Sequence, residues 1–72
     1  MTIIEEKVTE LKAIEAPYGK KFVFQEVVYE NGTRILRMRI REGTRFTVID
    51  LDNNSASQLA DVMSTWSAGE SE

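Results

Sequence analysis

The chain contains neither cysteine nor histidine. The first absence removes disulfide scaffolds, thiol nucleophiles and thiolate zinc sites; the second removes the usual general base and the commonest metal ligand. An enzyme would have to be built from carboxylates, lysine or tyrosine, and no such pair is recognisable: Glu42 beside Gly43 has no second acid at a defined distance. The expectation is a protein that is not an enzyme, with no catalytic residue, no metal and no cofactor. Asp50, Asp52, Asn53 and Asn54 gather oxygens near a turn, yet they lack the glycine and distal glutamate of a calcium loop. Helix capping explains them more simply. No glycine-rich phosphate loop is present either.

Long apolar runs are also missing. Nothing approaches the roughly 20 consecutive apolar residues of a membrane span, and Glu5, Glu6 and Glu10 interrupt any secretory h-region. We expect a cytoplasmic protein with no membrane partner, in which the sequons at Asn31 and Asn53 are chance matches.

What is there is one small domain. The chain has 72 residues, of which 42% are hydrophobic and one is proline. A chain of about this size buries only roughly 60% of its unfolded surface, so it often completes its core with a partner. Residues 1–68 form the expected domain, and 69–72, lacking apolar side chains, a frayed acidic tail. The net charge is −3, but it is unevenly spread. Residues 20–45 hold seven bases and three acids, a local +4; the flanks hold two bases and nine acids, a local −7.

The clearest local signal is Asn31-Gly32 between two runs rich in β-formers, which predicts a hairpin with a two-residue type I′ turn. A second turn at Glu42-Gly43 leads to a further β-favouring run, residues 45–51. After Asp52 the period changes: Ala56, Leu59, Ala60, Met63 and Trp66 recur at helical spacing, with Val62 widening the stripe. Ser55 and Gln58 form a candidate capping box, and Gly69 a natural stop. The first sixteen residues fit either a helix or a strand ending at Pro17-Tyr18-Gly19; the strand is favoured because it pairs with the free hairpin edge. The predicted fold is α+β: an antiparallel meander of three or four strands with one C-terminal helix packed on one face.

A two-residue turn at Asn31-Gly32 pairs Val27 with Leu36, Gln25 with Met38 and Val23 with Ile40, an apolar face for the helix to cover. It places Phe22 beside Arg41 and Phe24 beside Arg39 on the opposite face, with Arg37, Arg45 and Phe46 completing the candidate surface. Three rings among guanidinium groups imply a partner. Three readings remain open: a second copy, since aromatic residues and arginine are enriched at interfaces; single-stranded nucleic acid, whose bases stack on rings while arginines meet phosphates; or a solvated face whose arginines pair with Glu26, Glu42 and Asp50.

The stretch from Arg37 to Gly43, then Arg45-Phe46-Thr47 and Asp50-Leu51-Asp52, with Ala16-Pro17-Tyr18-Gly19 upstream and Trp66 near the end, resembles a group of short uncharacterised bacterial proteins over nearly the whole chain. More remotely, four strands followed by one helix resemble the architecture of the transcriptional positive cofactor four and whirly-like family. That resemblance implies dimerisation and single-stranded DNA binding through basic and aromatic residues on strands.

Overall fold

The computed structural model describes residues 6–69. Four strands form one antiparallel sheet in chain order, β1 (Glu6–Ala16), β2 (Lys20–Tyr29), β3 (Arg34–Glu42) and β4 (Arg45–Leu51), and one helix follows, α1 (Asn53–Ser67). The expected α+β meander is what forms. The ambiguous amino-terminal segment is a strand over its described part, since an isolated helix so short would be marginal in water, whereas pairing with β2 satisfies its backbone. The acidic tail beyond Gly69 lies outside the described residues.

The β2–β3 turn departs from expectation. Its loop has three residues, Glu30, Asn31 and Gly32: the Gly32 N–H donates to the Tyr29 carbonyl at 2.9 Å and the Tyr29 N–H to the Thr33 carbonyl at 2.9 Å. Only Gly32 has a positive φ, +89°, whereas a type I′ turn needs two such residues. This is a type I turn closed by a left-handed glycine. The Asn31 side chain accepts from the Thr33 N–H at 3.0 Å, so asparagine serves here through its carboxamide rather than through its tolerance of positive φ.

That extra residue moves the register by one and turns β2 over relative to β3. Phe24 now faces Met38, Phe22 faces Ile40 and Val23 faces Arg39. At the other turn Glu42 pairs with Arg45, so the loop is Gly43-Thr44; Leu36 meets Leu51 and Met38 meets Ile49. The loop lies one residue later than the expected Glu42-Gly43 turn, which leaves Phe46 on the face of Arg37, Arg39 and Arg41 but sets Arg45, opposite Glu42, on the other. Between β1 and β2 the register slips around Leu11, a bulge separating the Glu10–Gln25 and Lys12–Phe24 pairs.

The helix starts earlier than the Ser55–Gln58 box predicts. Asp52 is the N-cap, extended at φ −80° and ψ 172°, and its Oδ1 accepts from the Ser55 N–H at 3.0 Å. Gly69 ends it at φ +84°, donating its N–H to the Trp66 carbonyl at 3.0 Å. The helix does not close over the sheet as its stripe implies. It touches β3 and β4 alone, and Trp66, Val62 and Met63 remain 76%, 68% and 59% exposed. Among the described residues only Val27, between Val8 and Ile35 on its face, is fully buried.

The dimensions agree. A compact chain of 8.2 kDa exposes about 4,500 Å²; this one exposes 6164 Å². Its radius of gyration is 14.7 Å, where about 11 Å is usual for this length.

Candidate functional site

Turning β2 over removes two of the seven residues of the predicted surface, and strand alternation in β4 removes a third. Phe22 and Phe24 join Leu36, Met38, Ile40, Ile49 and Leu51 on what we call the aromatic face, and Arg45, opposite Glu42, lies on that side as well. Arg37, Arg39, Arg41 and Phe46 stay together on the arginine face, now with Val23, Gln25 and Val27 from β2. The interleaving of three rings with guanidinium groups does not form. The physical cause is the three-residue β2–β3 loop, whose register places both β2 phenylalanines among apolar neighbours on β3.

The arginine face is ordered in rows across the four strands. Glu15, Lys21, Arg41 and Phe46 form the row nearest the β1–β2 and β3–β4 turns; Ala13, Val23, Arg39 and Val48 form the next; Glu10, Gln25, Arg37 and Asp50 the third. Acids therefore line the β1 side and bases the middle of the sheet. Arg37 is committed within its row: its Nε donates to Asp50 Oδ1 at 2.9 Å and its Nη2 to Oδ2 at 3.1 Å. This bidentate contact holds the Asp50 carboxyl below its ordinary range and raises Arg37. On the other face Arg34 pairs with Glu26 at 2.7 Å.

Lys21, Arg39 and Arg41 form no ion pair within 4.0 Å among the described residues. They surround, with Val23 and Phe46, a shallow hollow of about 140 Å³. Phe46 is 63% exposed there. Two features of this end of the sheet escape a reading of the sequence for arginine and phenylalanine. Lys21 enters the cluster only through the shifted register. Tyr18, at the β1–β2 turn and 94% exposed, adopts φ +66°, and the neighbouring Gly19 carbonyl accepts from the Gly43 N–H at 3.4 Å. An aromatic residue in the left-handed region is strained, and the Pro17-Tyr18-Gly19 triplet signals only that a turn is present.

The arrangement can meet an anion and offer one ring for stacking. No group of three or more acidic side chains placed to hold a metal ion occurs among the described residues. No described helix is long and apolar enough to cross a membrane.

No curated protein and no solved structure shows significant similarity to the chain. A family model does match, over residues 5–69, nearly the whole length. The chain belongs to a family of unknown function, DUF6967.

Proposed function

We propose that this protein is a non-enzymatic binding module that completes its core by pairing with a second copy of itself. The carrying observation is the contrast between one fully buried side chain, Val27, and an exposed helix stripe ending in Trp66. Burying a valine contributes roughly 1.5–3 kcal/mol, while ordering each residue costs about 1–2 kcal/mol. A sheet with so little interior needs further burial to be stable. The surface in excess of a compact chain is roughly 1,600 Å², about twice the 800 Å² that each partner gives to an interface of standard size. The test is the thermal midpoint against protein concentration. A midpoint that rises with concentration supports pairing, because association stabilises by mass action; one independent of concentration contradicts it.

A second reading, weak binding of single-stranded nucleic acid, is supported by the Lys21, Arg39 and Arg41 cluster around Phe46. Cations without acid partners favour phosphates, and an exposed ring favours a base. The two readings use different faces, so they are compatible. Fluorescence anisotropy of a labelled oligo-dT at low salt tests the second; no change at high protein concentration removes it.

A further inference from the structure

Among the described residues, two apolar surfaces lack full cover: the aromatic face, where Phe22, Phe24 and Met38 are half-buried and Ile14 and Ile49 exposed, and the stripe of α1 with Leu59, Met63 and Trp66 exposed. Asp52 is the single residue between β4 and α1, and it is held twice: its carboxylate accepts from the Ser55 N–H at 3.0 Å and its carbonyl from the Ala56 N–H at 3.0 Å. Both bonds lie within the first turn of the helix, which sits beside β3 and β4, so β1 and β2 carry no covering layer. A groove of about 600 Å³ stays open between the root of the helix and the sheet, lined in part by Leu11, Leu36, Leu51 and Ala56.

The helix is also unlike one built for water. Asp61 is its only charged residue in a chain that is 29% charged, whereas a surface helix ordinarily carries charge on its outer face. Its 15 residues span about 22 Å, close to the roughly 19 Å width of four strands. Pairing through the β1 edge is disfavoured by the bulge at Leu11 and by Lys7, Glu10, Lys12 and Glu15 along that strand. Each surface thus lacks a partner within the chain and finds one of matching size and polarity in another copy.

We infer that the aromatic face is covered by the α1 helix of a second copy, so that Leu59, Met63 and Trp66 of each chain lie against Phe24, Met38 and their neighbours in the other. The arrangement is a reciprocal, two-fold exchange that leaves the Asp52 cap intact in both chains. It rests on the self-association reading and specifies its geometry.

The absence of cysteine permits a clean test. Chains carrying only Met38→Cys are mixed with chains carrying only Met63→Cys and treated with a short bismaleimide, while sedimentation reports the mass of each sample. The expected result is a cross-linked dimer containing one chain of each kind, in a yield approaching the statistical share of mixed dimers. A dimer without that product, or a cross-link forming only within a chain that carries both substitutions, overturns the exchange and leaves self-association standing. A monomer throughout overturns both. The unmodified chain supplies a second readout through its single tryptophan. Trp66 emission should be blue-shifted in the dimer and move to the red on dilution, and Trp66→Ala should weaken association at least about tenfold. Emission typical of an exposed indole in a demonstrated dimer contradicts the inference.

Discussion

Phe24 and Met38 face each other directly across β2 and β3. That pair decides the character of both surfaces of the sheet. It places the β2 phenylalanines with Leu36, Ile40 and Ile49, and it leaves Val23 and Lys21 beside Arg39 and Arg41. The pairing is set by the turn at Gly32, eight residues from Phe24 and six from Met38, where one left-handed residue completes a three-residue loop.

Gly32→Ala should therefore destabilise the hairpin. An added Cβ would meet nothing within 4 Å, so the cost is conformational, about 1–2 kcal/mol for a left-handed L-residue. Chemical denaturation measures it. A variant as stable as the parent would show that the glycine conformation does not hold the register.

Val27→Ala should cost roughly 1.5–3 kcal/mol, the transfer of two buried methyl groups plus the cavity they leave. Exposed Val62 provides the comparison. If association buries the helix, Val62→Ala should lower stability at concentrations that favour the dimer and have little effect on the dissociated chain.

Acid should weaken the join between β3 and β4. The Asp50 carboxyl is lowered first by its hydrogen bonds with Arg37, and Asp52 by hydrogen bonds from the Ser55 side chain and backbone. For a carboxylate lowered in the folded state, the stabilisation is present above the unfolded value and is lost as pH falls through the folded one. Stability should decline below the ordinary carboxylate range, and Asp50→Asn should flatten part of that decline. An unchanged acid limb in Asp50→Asn would contradict the assignment.

The order of elements was legible in the sequence because each rests on a local signal: period two in the strands, period 3.6 from Ala56 to Trp66, and Gly69 at the helix end. Faces were not, because they depend on turn length. Asn31-Gly32 is compatible with loops of two or three residues, and a difference of one inverts a whole strand. The candidate surface consequently kept Arg37, Arg39, Arg41 and Phe46, lost Phe22 and Phe24 and gained Lys21, whereas Arg45 is excluded by strand alternation alone, since it is adjacent to Phe46 on β4. The exposed state of the helix was equally hidden, since an apolar stripe shows that a helix needs covering without saying which chain covers it.

Arg39→Ala and Arg41→Ala should each weaken oligo-dT binding if the hollow around Phe46 meets phosphates. Each substitution should reduce the salt slope by about one, reflecting one released counterion fewer. Arg37→Ala should matter less, since Asp50 already occupies that guanidinium. Equal effects of all three would point to diffuse charge and not to this hollow.

Sedimentation equilibrium of the unmodified chain separates a paired chain from a solitary one. We expect a dimer of twice 8.2 kDa that dissociates on dilution and holds or tightens as salt is raised, because the contact is mainly apolar. A chain that stays folded and monomeric at hundreds of micromolar would contradict the pairing.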